Sequence, residues 1–125
     1  MSKNCYCGNV KPFAECCEIF MKGIEQAPTA EKLMRSRYSA YAAQAVDYLV
    51  ETTHVSKRKY HSKEDILEWS KSNQWIKLEI LNSSENTVEF KAYYIDSELK
   101  AQVHHEKSTF KNDNGFWFYV DGEFY

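Results

Sequence analysis

No stretch of this 125-residue chain approaches the roughly 18 consecutive apolar residues that a membrane-crossing helix needs. No apolar run follows Met1-Ser2-Lys3-Asn4, so no secretory signal is expected, and a reducing, cytoplasmic setting is expected instead. Sixteen Lys and Arg against eighteen Asp and Glu give a net charge of −2, which removes the global basic field of a nucleic-acid binder. The one dense basic run, Lys57-Arg58-Lys59, leaves a local nucleic-acid patch open but fits a solvated loop better. Glycine is scarce, at four residues, and none builds a phosphate loop or a dinucleotide fingerprint; a His-Glu-x-x-His pair is also absent. There are no internal repeats and no low-complexity segments.

Cysteine is absent after residue 17, and this throws the first seventeen positions into relief. All four cysteines lie there, as Cys5-x-Cys7, eight residues, then Cys16-Cys17. Disulfides are disfavoured in a reducing compartment, and complete confinement to one segment is not the pattern of scattered free thiols. The spacing points to a closed metal site of four thiolates, for which zinc is the expected ion, one per chain. Gly8 can take the positive φ that doubles the chain back behind Cys5 and Cys7. Pro12 is placed to open a short helix over 12–22 carrying Cys16 and Cys17, whose start favours thiolate over thiol.

The pattern Cys-x-Cys-Gly, eight residues, Cys-Cys resembles the SEC-C zinc motif, named for the C-terminal tail of the SecA translocation ATPase. Further on, Leu33-Met34-Arg35-Ser36-Arg37-Tyr38-Ser39-Ala40-Tyr41, Thr53-His54, His105-Glu106-Lys107-Ser108-Thr109-Phe110 and Trp117-Phe118-Tyr119-Val120-Asp121-Gly122 resemble the bacterial YchJ-like family. The resemblance covers nearly the whole chain. It implies a SEC-C knuckle joined to an α+β cone of the nuclear-transport-factor-two-like (cystatin-like) type and a bound metal, but no settled activity. Some longer relatives carry a second SEC-C motif at the C-terminus; with the sequence ending at Tyr125, a bridging role through two knuckles is not expected.

The residues read independently give the same class. A zinc knuckle over 1–23, with Phe13, Cys17, Phe20 and Met21 on its docking side, is followed by a short linker and an α+β domain over 28–125. Thr29 is a suitable N-cap, and Ala30, Met34, Tyr38, Tyr41, Ala45 and Tyr48 recur at helical spacing, flanked by Leu33 and Leu49, in one long helix broken near Gln44 to Asp47. At 100° per residue Arg37 falls nearer the core-facing stripe than Arg35. Residues 52–61 read as a polar loop, and Ser62 with Asp65 as a cap opening a helix to Ser72. The period then changes to two. Strands are expected over 76–80 (Ile76, Leu78 and Ile80 inward), 87–95, 101–111 and 116–120, with Asn112-Asp113-Asn114-Gly115 as a hairpin turn. Helices followed by a four-stranded antiparallel meander make α+β, which agrees with the cone that the resemblance implies: helices packed into the concave side of a curved sheet, leaving a pocket.

Seven Phe, nine Tyr and three Trp are many for this length, and such rings line cores and pockets. The candidate pocket residues are Arg37, Tyr38, Tyr41, His54, His104, Glu106, Ser108, Trp117, Tyr119 and Asp121. His104, Glu106 and Ser108 share a strand face and invite comparison with a hydrolase triad, but same-face neighbours lie roughly 6.5–7 Å apart along a strand, whereas a nucleophile and its base must meet at about 3 Å. They are expected instead to be satisfied by partners across the core, with Arg37 and Glu106 forming a buried ion pair between helix and sheet. No catalytic residue is assigned and enzymatic activity is left open. The leading expectation is an adaptor whose knuckle docks a protein partner, chaperone-, secretion- or ribosome-associated on the strength of the SecA resemblance, with RNA second. The rival is a small-molecule-binding or enzymatic cone.

Overall fold

A computed structural model of the chain describes residues 4–125; the first three residues of the expected knuckle lie outside the described residues. The elements are α1 (Cys17–Met21), α2 (Ala30–Ala43), α3 (Val46–Glu51), α4 (Lys63–Ser72), and then β1 (Gln74–Ser83), β2 (Thr87–Ile95), β3 (Ala101–Asp113) and β4 (Phe116–Phe124). The strands form one antiparallel meander in the order β1-β2-β3-β4. This is the expected α+β arrangement, with the helices gathered on one face of the sheet. Among the described residues no helix is long and apolar enough to cross a membrane.

Local chemistry explains the boundaries. Thr29 caps α2 by accepting from the Lys32 amide at 3.1 Å, and Ser62 caps α4 by accepting from the Asp65 amide at 3.4 Å. The helical stripe is broken where expected, because Gln44 adopts φ 60° and turns the chain from α2 into α3. Asn114 and Gly115 both take positive φ, at 53° and 89°, as a two-residue primed hairpin turn requires.

The core lies between α2 and the sheet, built from Leu33, Met34, Tyr38, Val88, Phe90, Ala92 and Phe110. Yet α2 is not simply amphipathic: Ser36, Arg37, Ser39 and Ala40 are buried too. The sheet covers one side of the helix, while α3 and the cysteine segment cover the others.

Four expectations change. The knuckle helix over 12–22 is instead a 3₁₀ turn at Phe13–Glu15 and a separate α1, with Cys16 at the break (φ −122°, ψ −104°), so the two adjacent thiols do not share one helix. The loop over 52–61 contains a 3₁₀ stretch, Val55–Tyr60. A register shift between Trp75 and Lys77 turns Ile76 outward to solvent and gives its inward place to Trp75, since one extra residue flips every side chain after it. A second shift opposite Thr109/Phe110 carries β4 past Val120 to Phe124.

Candidate functional site

Two constellations stand out. The first is the cysteine cluster. Gly8, at φ 94°, donates to the Cys5 carbonyl at 3.1 Å, and Cys5 donates to the Lys11 carbonyl at 2.8 Å, which folds residues 5–11 into a tight loop. Its four Sγ atoms all lie within 4.8 Å of one another, with Cys7–Cys16 at 3.8 Å and Cys16–Cys17 at 4.0 Å. A tetrahedron with metal–sulfur arms of about 2.3 Å has edges of about 3.8 Å, so the donor set fits a metal ion. The four cysteines are free of disulfides. The Ser39 hydroxyl of α2 lies 3.5 Å from Cys5 Sγ, and Arg35 donates to the Cys7 carbonyl at 3.0 Å.

Crowding explains the electrostatics of these thiols. Hydrogen bonds from Cys17 and Cys7 hold Cys5 far below the usual thiol range. Burial and the neighbouring Cys7 push Cys16 up to about 11, and the shared bond to Cys5 pushes Cys17 up as well. Four thiolates can coexist only around a cation, which is what coordination supplies.

The second constellation is a cavity of about 230 Å³ between α2, α4 and the concave sheet face. Of the expected pocket residues, Arg37, Tyr38, Tyr41, His104, Glu106, Ser108 and Tyr119 line it. Three do not. His54 is clamped to the sheet, with Nε2 2.8 Å from Asp113 Oδ2 and its amide donating to the Tyr119 carbonyl. Trp117 donates to the Pro28 carbonyl at 3.2 Å and lines a separate surface groove. Asp121 is exposed, because the shift in β4 pairs it with Thr109 on the outer face. Sequence reasoning missed His61, Trp69, Trp75 and Phe124 as lining residues. Trp75 and Phe124 both sit beyond register shifts that period-two counting does not see. His61 and Trp69 enter only through the packing of α4 and the loop before it.

Glu106 is the polar centre of the cavity. Oε1 accepts from His104 Nε2 at 2.7 Å, while Oε2 accepts from the Ser108 hydroxyl at 2.6 Å and the Tyr119 hydroxyl at 3.0 Å. Side chains on one strand face thus lean together and bridge a spacing that separates their backbones, where each was expected to find its partner across the core. The connection is still not that of a Ser-His-carboxylate triad: the serine bonds the carboxylate and not the histidine, and a carboxylate already holding three donors is a weak base. Burial raises the Glu106 pKa, but the donors His104, Ser108 and Tyr119 outweigh it and hold the carboxyl below its ordinary range.

The expected Arg37–Glu106 ion pair is absent. Arg37 NH1 donates to the Leu49 carbonyl at 2.9 Å and to the Thr52 hydroxyl at 2.7 Å. The carbonyls ending α3 lack intrahelical donors, and they capture the guanidinium first. Tyr119 sits between the two charges: its ring lies 4.6 Å from the Arg37 Cζ, and its hydroxyl bonds Glu106. Burial, and secondarily the charge of Arg37, depress the pKa of His61.

The region 29–122 matches the family described as YchJ, middle NTF2-like domain. The UPF0225 protein GSU1048 of Geobacter sulfurreducens is 40% identical over 98% of this chain and 80% of its own length. The chain belongs to the YchJ-like family. A second UPF0225 protein, VV1358 of Vibrio vulnificus, is 42% identical over 99% of the chain and 77% of its own length. The solution structure of RPA3114, a SEC-C motif containing protein from Rhodopseudomonas palustris, superposes with a TM-score of 0.91 at 37% identity, covering 97% of this chain and 98% of that one. The crystal structure of a SEC-C motif containing protein from Psychrobacter arcticus gives 0.80 at 26% identity, covering 95% and 81%. The YchJ-like assignment therefore accounts for both constellations: a SEC-C cysteine cluster suited to metal, and an NTF2-like cone with a cavity.

Two outcomes test the Glu106 network. A Cβ on Gly122 would collide with the Glu106 carboxylate, so Gly122→Ala should displace it and cost about 1–3 kcal/mol in urea unfolding. Because the folded pKa of Glu106 is depressed, its contribution is present above the ordinary carboxyl pKa and lost as pH falls through the folded value. Glu106→Gln should therefore lower stability at pH 7 by about 1–3 kcal/mol, and the gap from the parent chain should narrow in unfolding curves taken below about pH 4.

Proposed function

We propose that the protein is a small-molecule-binding cone held together at one flank by a structural zinc ion. One observation carries the binding half: the cavity contains polar groups that the protein leaves without partners. Tyr38 is 3% exposed and Tyr41 is half-buried, both line the cavity, and neither hydroxyl is hydrogen-bonded within the described residues. Among the described residues the one side-chain polar atom sealed from solvent without a partner is Ser70 Oγ, so both hydroxyls remain accessible on residues that line the cavity. A few accessible, unpartnered polar groups among aromatic walls are what a small-molecule pocket needs. With Ser108 bonded to the Glu106 carboxylate and not to His104, the arrangement favours binding over catalysis.

The zinc half rests on the sulfur-only donor set with tetrahedral spacing, which suits zinc among the abundant divalent ions. Burial of Cys5, Cys7 and Cys17 supports a structural role, since all four positions of the tetrahedron are taken by protein. A second reading, an adaptor whose knuckle docks a protein partner, is favoured by the exposure of Tyr6 and Val10 on the cysteine loop.

Elemental analysis of freshly purified, reduced protein should give one zinc per chain, and Cys16→Ser/Cys17→Ser should abolish it; less than half an equivalent in the parent chain contradicts the assignment. Chelation should release hydrogen-exchange protection from residue 4 to about residue 22 and spare the strands. For the cone, small aromatic fragments should shift the indole N–H resonance of Trp75, and Ala92→Phe, which fills the cavity floor, should suppress those shifts. Shifts confined to Tyr6 and its neighbours would favour the adaptor.

A further inference from the structure

We infer that the cavity takes a small planar carboxylate: an apolar ring or unsaturated chain held by the aromatic walls, with its carboxyl group directed to Arg37, Tyr38 and Tyr41. This rests on the binding-cone reading above and specifies the ligand that reading leaves open.

The argument is a count of what the cavity still offers. Arg37 is 5% exposed, and its partners within the described residues, Leu49, Thr52 and Thr53, are all reached through NH1. Nε and NH2 have no acceptor there, and neither is sealed from solvent. A guanidinium presents five N–H donors in a planar fork, so the remaining donors are the means to grip a pair of oxygens. The Tyr38 and Tyr41 hydroxyls add two further donors. His61 also lines the cavity and makes no side-chain hydrogen bond within the described residues.

Anionic acceptors are nearly exhausted, because Glu106 is the one carboxylate among the described residues of the lining. A carboxylate has about four lone-pair sites, and three of those on Glu106 are taken by His104, Ser108 and Tyr119. The negative charge of Glu106 is therefore held by its own neighbours, while the positive charge of Arg37 meets only neutral oxygens and the Tyr119 ring. A cationic ligand would find few acceptors and the guanidinium in its way; a carboxylate finds an unneutralised cation with free donors. Charge-assisted bidentate pairing of this kind is roughly twice as strong as neutral hydrogen bonding.

The walls set the rest of the molecule. Trp69, Trp75 and Phe124 line the cavity, with Trp69 and Trp75 edge to face at 6.0 Å, which makes flat apolar surfaces for a ring. At about 230 Å³ the space lies below the 300–1,000 Å³ usual for drug-sized ligands, so one ring with a short acid arm matches it.

Arg37 also holds the end of α3, so its removal would test folding as much as binding, and the discriminating series varies the ligand. Titration calorimetry with cinnamate, cinnamamide and cinnamylammonium compares one flat, unsaturated body with three heads. The carboxylate should bind at least tenfold more tightly than the amide, with the ammonium weaker still, and Tyr38→Phe/Tyr41→Phe should weaken the carboxylate at least threefold while leaving the amide within twofold. Equal or tighter binding of the amide or the ammonium overturns the carboxylate assignment and leaves the binding cone standing. Failure of all three to bind, together with fragments that leave the Trp75 indole unmoved, overturns both.

Discussion

The structure depends first on the burial of the middle of α2, where Leu33, Met34 and Ser36 to Ala40 are all covered. A helix covered by a sheet on one flank and by other segments on the rest cannot hold only apolar residues in the usual stripe, nor can it leave polar ones unpaired. Ser36 answers by bonding the Leu33 carbonyl at 2.8 Å and the Tyr48 hydroxyl at 2.7 Å, which seats α3. Ser39 faces the Cys5 sulfur, which seats the cysteine loop. Arg37 carries the largest obligation, since a buried guanidinium without acceptors would cost several kcal/mol. The carbonyl end of α3 and the ring of Tyr119 meet part of it, and what is left over faces the cavity.

The cavity persists for a related reason. Its wall rings are braced against one another and against rings behind them, Tyr38 edge to face on Trp75 at 6.0 Å, Trp75 tilted on Tyr94 at 5.2 Å and Tyr119 edge to face on Phe110 at 5.9 Å, and stiff rings wedged in this way do not collapse into a space as flexible chains do. The register shifts in β1 and β4 bend the sheet around this space, and they bring Trp75 and Phe124 to its rim. On the floor, Glu106 has its position fixed from three sides by donors and from the fourth by the absence of a side chain at Gly122.

The cysteine loop and the cone share α2 and are not independent modules. Phe20 packs with the main core, Leu78 with both the main core and the cysteine cluster, and Met21 with both the cysteine cluster and the α3 group beside it. Arg35, half-buried on the same helix, joins Glu31 at 3.0 Å to the Cys7 carbonyl. A metal in the cluster would therefore hold down one flank of the helix whose other flank forms the cavity wall.

The amino-acid sequence by itself determined the cysteine cluster, the fold class and most of the element boundaries, because these depend on short-range chemistry: cysteines close in the chain, caps at Thr29 and Ser62, a break near Gln44, a hairpin turn at Asn114-Gly115. It also placed seven of the residues that line the cavity, through helical and strand periodicity. Tertiary structure alone decided the rest. Periodicity cannot register a bulge, so Ile76 and Asp121 were expected inside and lie outside, and Phe124 was not expected at all. Opposite charges near one interface suggested an Arg37–Glu106 pair, but a buried group bonds whichever partners the packing presents at 3 Å, and the packing presented the carbonyls of α3 to one and His104, Ser108 and Tyr119 to the other.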